Sequence, residues 1–442
     1  FRFDVTMYPL LYGISNSWLD FSAVAIVPIV ILMILLALCG VPLFIVISGI
    51  AYAAFSQGGG YVEEISLASY HILTDKSIAA IPLFTIAGYI LAKGSAGKRL
   101  VEVFKSLFGW FRGGMVVAAV IVITFFTTFT GVSGVTILAL GGLLTLILAG
   151  NGYNQENAES LITASGAIGL LFPPSMAIIV YGTTNYVSVN VYDLFKGALV
   201  PGILMAVSMM VIGIIKDRQT DCPKFSFPAI GGAIKHSIFE LLLPVFIVVG
   251  YFAGFFSLME VASFTVIYTF CLETFIRRDF SFRRALAIVA ESVPVAGGVL
   301  IILSASNGLS VFLIDAGVPA MLSDFILSIV NSKYLFLLLL NITLLLVGCL
   351  MDIYSAILVV SPLVIPMAEM FGIHPVHIGV VFLMNLQLGF LTPPVGMDLF
   401  IASYAFDTPV MKVVKGILPY LLIQFIVLML VTYIPFLSTI LI

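Results

Sequence analysis

The same helix-breaking phrase is written twice in this chain, as GLLFPPS at residues 169–175 and as GFLTPPV at residues 389–395, 220 residues later. Both copies lie inside long apolar stretches. Proline removes a backbone donor and clashes with the preceding turn, whereas glycine tolerates unwound backbone. Each phrase therefore predicts a helix that is interrupted midway. One half-helix should end near Gly169 and the next begin at Pro173, and Thr392 should cap the corresponding half-helix of the second copy.

The composition of the chain is that of a membrane protein. Of the 442 residues, 61% are hydrophobic and 9% are charged, and the mean hydropathy is +1.21. Apolar runs of about 18 residues or more, the length that crosses a bilayer, recur from Phe21 to the C-terminus. The chain is therefore predicted to be an all-α polytopic membrane protein surrounded by membrane lipid. It has no phosphate-binding loop and too little basic surface for nucleic acid, so ATP hydrolysis and a nucleic-acid partner are not expected.

Matches between the two halves extend beyond the two phrases. At the same offset, SAG at 95–97 corresponds to DAG at 315–317, and the glycine pairs Gly88 and Gly308, Gly152 and Gly372, and Gly169 and Gly389 coincide. A series of matches in the same order indicates an internal duplication.

The distribution of basic residues indicates that the two halves are inverted in the membrane. Lysine and arginine accumulate on the cytoplasmic side. The stretch 93–112 carries five basic residues, whereas its counterpart 313–332 has none. Basic loops at 216–235 and 277–284 bracket an apolar segment, 237–276, that can cross the membrane and return. This arrangement predicts periplasmic N- and C-termini and an inverted repeat, an architecture typical of secondary transporters.

The segments before the two breaks predict re-entrant hairpins. TFTGVSGVT at 128–136 interrupts the apolar stretch 114–149, which is too long for one span. A hairpin with its tip at 130–133 fits this stretch. The second copy, 334–370, should enter from the opposite face with its tip within GCLMDIYS at 348–355.

The ends of the half-helices and two aspartates are the candidate functional groups. A half-helix that ends inside the membrane offers carbonyls to a cation, and one that begins there offers amides to an anion. Asp352 lies in the second hairpin, where a carboxylate is costly unless it is paired or bound to metal. Asp398 lies early in the half-helix after the second break. Either a functional role or stabilisation by the helix dipole would explain a charged residue at this position. An intramembrane aspartyl enzyme built on this pair would need glycine-aspartate signatures that the chain lacks, so no catalytic residue is expected.

Four motifs resemble the large membrane subunit of tripartite ATP-independent periplasmic (TRAP) transporters over roughly residues 22–440. They are TGVSG at 130–134, GLLFPPSMAIIVYG at 169–182, LMDIYSAILVVSPLVIPMA at 350–368 and NLQLGFLTPPVGMDLF at 385–400. The resemblance implies an inverted-repeat, elevator-type ion-transporter fold with two re-entrant hairpins and two broken helices.

The predicted division of the chain follows this fold. It comprises an N-terminal segment (1–21), scaffold helices of repeat 1 (22–76), transport-domain half 1 (77–215, with hairpin 114–149 and broken helix 154–190), a cytoplasmic loop (216–236), scaffold helices of repeat 2 (237–284) and transport-domain half 2 with the C-terminal helix (285–442, with hairpin 334–370 and broken helix 376–406).

The resemblance also implies two sodium sites and a substrate site. The first sodium site would use Thr130, Gly169, Phe172 and Pro174, and the second Gly348, Asp352, Gly389, Thr392 and Pro394. Substrate would lie between the hairpin tips, in contact with Ser133, Asp352 and Ser355.

A sodium-coupled importer of this family would work with two partners in a bacterial or archaeal inner membrane. They are a small four-helix membrane subunit and a soluble periplasmic substrate-binding protein. The implied substrate is a small organic acid, or a less polar ligand because neither hairpin and neither break contains a lysine or arginine. The alternative is a self-sufficient sodium-coupled dicarboxylate symporter, and dependence on a binding protein distinguishes the two.

Overall fold

The structure, a computed structural model, describes residues 32–33, 35–36, 41, 43–57, 63–74, 76–185, 187–216, 225–315, 330, 332–393 and 395–442. Within these residues all regular structure is helical. The predicted N-terminal segment 1–21, residues 217–224 of the predicted cytoplasmic loop and Pro394 lie outside the described residues.

The helices of the two halves follow in chain order. The first half contains α1 (Leu43–Gln57), α2 (Glu63–Leu73), α3 (Lys76–Lys93), α4 (Ala96–Phe108), α5 (Gly114–Thr130), α6 (Ser133–Gly150), α7 (Gln155–Ser165), a 3-10 turn (Ile168–Leu171), α8 (Met176–Thr184) and α9 (Val191–Lys216). The second half contains α10 (Phe227–His236), α11 (Ile238–Phe252), α12 (Leu258–Cys271) with a π-turn (Leu272–Ile276), α13 (Phe282–Asp315), α14 (Lys333–Leu350), α15 (Ile353–Met370), α16 (Pro375–Gly389), α17 (Met397–Ala405), α18 (Val410–Tyr433) and α19 (Phe436–Thr439).

The described helices are those of a polytopic membrane protein. Seven of them are long and apolar enough to cross a bilayer, and the number rises to ten if each of three bent helix pairs forms one span. The pair formed by α7 with its 3-10 turn and α8 is bent by 42°. The predicted membrane class is confirmed.

Helix bounds repeat at the offset found in the sequence. Three pairs of bounds are separated by 220 residues: the ends of α5 and α14 (Thr130 and Leu350), the starts of α6 and α15 (Ser133 and Ile353), and the starts of α7 and α16 (Gln155 and Pro375). The predicted hairpins therefore correspond to the helix pairs α5–α6 and α14–α15, to within one residue at each end. Re-entry of these pairs into the membrane stays a prediction.

The first predicted broken helix, 154–190, is interrupted over a longer segment than expected. The helix α7 ends at Ser165, ahead of Gly169, and α8 begins at Met176 rather than at Pro173. The backbone between them forms a 3-10 turn. Backbone carbonyls in this segment accept hydrogen bonds from side chains of α5, which replace the helical bonds that the break removes.

The second predicted broken helix, 376–406, begins its second part later than expected. The helix α17 starts at Met397, and the N-cap is Gly396, whose φ of +51° favours glycine. The prediction that Thr392 is the cap is wrong. Its hydroxyl donates to the carbonyl oxygen of Leu388 at 2.8 Å and so completes the turn that ends α16.

Elements of the two halves pack on one another. One continuous apolar core spans both halves, and a smaller cluster joins α1, α2 and α13. The helix α16 lies deepest, since every residue from Val376 to Gly389 is buried. The helix α17 packs on α6, and α15 packs on α8. Each break therefore has an element of the other half beside it.

A buried ion network ties α4 to α11 and to the π-turn. The Arg99 guanidinium, whose side chain is 8% exposed, lies 2.7 Å from Glu240, 2.8 Å from Glu273 and 3.2 Å from Asp279. Arg277 also reaches Glu240, at 2.8 Å. Three carboxylates thus share two guanidinium groups, and removal of either cation would leave buried negative charge.

Candidate functional site

The tips of the two hairpins meet in the interior. The Tyr354 hydroxyl, in the first turn of α15, donates to the backbone carbonyl of Gly131 at 2.8 Å. Gly131 ends α5 with a φ of +66°, which lets the chain reverse within two residues and begin α6. This contact joins positions 223 residues apart in the sequence.

A small cavity lies where the tips face the two breaks. Its volume is about 30 Å³, and its lining includes Ser133, Asp352 and Tyr354 from the tips and Leu170, Phe390 and Met397 from the breaks. A space of this size holds about one or two water molecules. The volume of this chamber therefore suits an ion rather than an organic acid.

Three helices begin at residues that line this chamber. They are α6 at Ser133, α15 at Ile353 and α17 at Met397. Each helix N-terminus is equivalent to roughly half a positive charge. Their convergence favours a negatively charged group in the chamber.

The first predicted sodium site is only partly assembled. The Thr128 hydroxyl donates to the Gly169 carbonyl at 3.1 Å, which joins the hairpin to its break. The Thr130 hydroxyl lies 2.9 Å from that of Thr136, and its hydrogen bonds stay within the hairpin. Phe172 and Pro174 line a separate apolar cleft of about 330 Å³ between α5, α9 and α11.

Close packing holds the second hairpin against the second break. A Cβ atom on Gly389 would lie 2.5 Å from the carbonyl carbon of Gly348, so position 389 requires glycine, whereas a Cβ atom on Gly348 would come no nearer than 3.2 Å to its neighbours. The Gly396 amide donates to the Cys349 carbonyl at 3.2 Å. Of the predicted ligands here, Gly348 and Gly389 are in contact, and Thr392 follows one turn later.

The Asp352 carboxylate is satisfied by its own helix. One oxygen accepts the amides of Tyr354 and Ser355, both at 3.1 Å, and the other accepts the Ser355 hydroxyl at 2.5 Å. Asp352 is thus the N-cap of α15 and lines the chamber at the same time. The predicted substrate contacts Ser133, Asp352 and Ser355 all lie at the tips, and the first two face the chamber.

Asp398 joins the two halves behind the chamber. Its side chain is fully buried in the first turn of α17, and one carboxylate oxygen accepts the Ser133 hydroxyl at 2.7 Å. The other oxygen has no hydrogen-bond partner among the described residues. The sequence left open whether this residue has a functional role or is stabilised by the helix dipole alone. One feature of the sequence favours a functional role: Asp398 is the single charged residue between 376 and 406.

Comparisons with known proteins agree with this fold. The family model described as the DctM component of the tripartite ATP-independent periplasmic transporter matches residues 27–437. The C4-dicarboxylate TRAP transporter large permease protein DctM of Vibrio cholerae is 31% identical over 386 residues, which cover 82% of this chain and 85% of that protein. The sialic acid TRAP transporter large permease protein SiaM of Vibrio cholerae is 30% identical, with 88% of each chain covered.

A solved transporter shares the fold. The YdaH transporter of Alcanivorax borkumensis aligns with a TM-score of 0.59 and 14% identity, over 82% of this chain and 85% of that chain. The matched family consists of transporter permeases, which confirms that the chain is not an enzyme. The chain belongs to the DctM component family of tripartite ATP-independent periplasmic transporters.

Proposed function

We propose that this chain imports a small organic acid with sodium ions by an elevator movement of its transport domain. The observation that carries the proposal is the small chamber at which both hairpin tips and both breaks meet and three helices begin. The helix N-termini supply partial positive charge for the acid, which enters when the tips are apart.

The charge distribution supports coupling to a cation. Neither of the stretches 114–190 and 334–406 contains a lysine or arginine. The polar groups that these stretches place around the tips are backbone carbonyls, hydroxyls and the Asp352 carboxylate. Such oxygen ligands suit a hard cation. Sodium bound at each tip would supply the positive charge that the chain itself lacks.

Opening of the chamber requires the halves to separate at the tips. A 30 Å³ space excludes an organic acid, so substrate enters a different state from the one described. Two side-chain hydrogen bonds join the halves at this point, from Tyr354 to Gly131 and from Ser133 to Asp398. A hydrogen bond of this kind contributes about 0.5–1.5 kcal/mol, or about 1.5–3 kcal/mol if one group is charged. Binding energy of this order from sodium is enough to favour closure.

The proposed partners are a small membrane subunit and a periplasmic binding protein. The relative named isethionate TRAP transporter permease protein DctMQ, from Oleidesulfovibrio alaskensis, matches 90% of this chain, but only 63% of its own length is covered. We propose that this chain works with a small four-helix membrane subunit in a bacterial or archaeal inner membrane, with both termini in the periplasm. A self-sufficient sodium-coupled dicarboxylate symporter is the second candidate, because this chain supplies both hairpin tips and both breaks around the chamber.

Uptake into proteoliposomes tests the proposal. The vesicles hold this chain with its small subunit, and binding protein loaded with a C4-dicarboxylate or with sialic acid is supplied outside. We expect uptake to need both an inward sodium gradient and the binding protein. Asp352→Asn should lower it by about tenfold or more, because hydrogen bonds to a charged group contribute about 1.5–3 kcal/mol. The control Glu369→Gln changes an exposed carboxylate at the opposite end of the same helix and should leave uptake unchanged.

The other outcomes separate the candidates. Sodium-driven uptake without binding protein would favour the self-sufficient symporter. Uptake that ignores the sodium gradient would contradict the proposed coupling.

A further inference from the structure

Within the part of the chain that the structure describes, the Asp398 carboxyl group has no charge partner. It is fully buried, receives one hydrogen bond, from Ser133, and leaves its second oxygen without a partner among the described residues. An ionised carboxylate buried in this way is strongly unfavourable unless a cation or further donors reach it. The start of α17 offsets only a small part of that cost.

Among the described residues, the helices that pack most closely on α17 do not supply the missing positive charge at that end of the helix. Among the described helices, α6, α7 and α18 make the main contacts with α17. The helix α6 has no titratable side chain, and the titratable groups of the other two are Glu156, Glu159, Lys412, Lys415, Tyr420 and Tyr433. Lys412 pairs with Glu156 at 2.5 Å, and Glu159 accepts from Thr408. Because Thr408 follows the C-terminus of α17, this charged group lies at the far end from Asp398.

The chamber itself is better suited to an acid when Asp398 is neutral. Three helix N-termini contribute roughly half a positive charge each. The Asp352 carboxylate, on the tip of the second hairpin, already offsets one unit of the positive charge that these N-termini supply. A second negative charge behind Ser133 would oppose an anionic substrate, whereas a neutral Asp398 leaves the chamber positive.

We propose that Asp398 is a proton-binding site and that one proton is carried with each substrate molecule. This inference rests on the proposed function. When the tips are apart, the carboxylate takes a proton from the outer solution onto its unpartnered oxygen. The tips then close, with the Ser133 hydroxyl donating to the other oxygen. When the chamber opens inward, the proton leaves to the cytoplasm, and the carboxylate is ionised again.

The test follows proton arrival inside proteoliposomes during uptake. This chain with its small subunit is reconstituted with a pH-sensitive dye trapped inside. Saturating sodium and binding protein loaded with a C4-dicarboxylate or with sialic acid are supplied outside over a range of pH. We expect about one proton per substrate molecule, and uptake that falls by about tenfold per pH unit on the alkaline side, as titration of one group requires.

Two variants and a control identify the group. Asp398→Asn has nearly the same shape but cannot titrate. It should reduce proton arrival to less than about a tenth and hold uptake within about twofold over the pH range. Exchange of labelled for unlabelled substrate should persist in this variant and so show that it is folded. Ser133→Ala removes the one donor that favours the ionised form, so the alkaline limit of uptake should move to higher pH. Glu369→Gln should behave as the unchanged protein.

Four results would overturn the inference. Sodium-driven uptake without proton arrival would support the proposed function but contradict the proton site. Proton arrival that persists in Asp398→Asn would place the site elsewhere. Loss of one sodium ion per substrate in that variant, with no effect of pH, would mean that Asp398 binds sodium. If the unchanged protein shows no sodium-driven uptake, the proposed function fails. In that case, uptake under a pH gradient alone is measured, and its absence would also rule out the proton site.

Discussion

At the scale of single residues, the second break depends on two glycines in contact. Gly389 and Gly348 pack backbone to backbone, and a Cβ atom on Gly389 would approach the Gly348 backbone to within 2.5 Å. The equivalent position in the first half, Gly169, packs in the same way against α5, where a Cβ would lie 2.3 Å from the Thr124 carbonyl oxygen. Both breaks are therefore held by glycine against the hairpin of their own half.

The substitution Gly389→Ala should destabilise the protein. The added methyl group meets backbone atoms, which cannot rotate away, so we expect a loss of about 1–3 kcal/mol. Gly142→Ala is the matched control, because nothing lies within 4 Å of its Cβ position on α6. It should be neutral or stabilising by up to about 1 kcal/mol. Thermal unfolding of the two purified variants measures the difference, and equal stability would contradict the packing described.

The tip-to-tip hydrogen bond can be removed without a change of shape. Tyr354→Phe deletes the donor to Gly131 and should weaken closure by about 0.5–1.5 kcal/mol. Half-maximal uptake should then need about two to ten times more sodium, because closure and sodium binding are coupled. Tyr404→Phe changes a tyrosine that is 83% exposed on α17 and should leave the sodium dependence as it is. An unchanged sodium dependence in Tyr354→Phe would show that this contact does not hold the closed state.

At the scale of helices, the sequence predicts the hairpins well and the breaks less well. The hairpin bounds agree to within one residue, because a long apolar run with glycine near its middle leaves few other places for a turn. The second parts of the broken helices start at Met176 and Met397, later than predicted. Proline was expected in the first turn of these helices, but it lies in the unwound segment. The Thr392 hydroxyl donates to the carbonyl of Leu388 in the preceding helix and does not cap the following one. Residue type alone does not decide between these two hydrogen bonds.

The buried ion network was not foreseen, because α4 carries several basic residues that look alike in sequence. Only Arg99 turns inward, toward Glu240, Glu273 and Asp279. Arg99→Ala would leave these three carboxylates with Arg277 alone. A loss of about 3–5 kcal/mol is expected from removal of one partner of a buried pair. Chemical or thermal unfolding checks this value.

The exposed Arg283, at the start of α13, provides the matched control for that measurement. Arg283→Ala should change stability by less than about 1 kcal/mol, as is usual for surface charges. A similar small effect in both variants would mean that the Arg99 network contributes little to stability.

At the scale of the whole molecule, the duplication brings two distant parts of the chain together. The contacts that close the chamber join residues separated by 223 and 265 positions, and both cross from one half to the other. Patterns within a single helix carry no information about such contacts. The tips and breaks could be predicted from sequence because each has a local signal, whereas the pairing of Ser133 with Asp398 required the packing of α17 on α6.

The central claim is that sodium closes the hairpin tips over the chamber. Met397 lines the chamber without being a predicted ligand, so a cysteine at this position reports access directly. The measurement is the labelling rate of Met397→Cys by a water-soluble thiol reagent, in a variant whose four native cysteines are replaced by serine. We predict that sodium with loaded binding protein slows labelling by about tenfold or more, which corresponds to a shift of about 1.4 kcal/mol toward the closed state. A labelling rate that is the same with and without sodium would contradict the account.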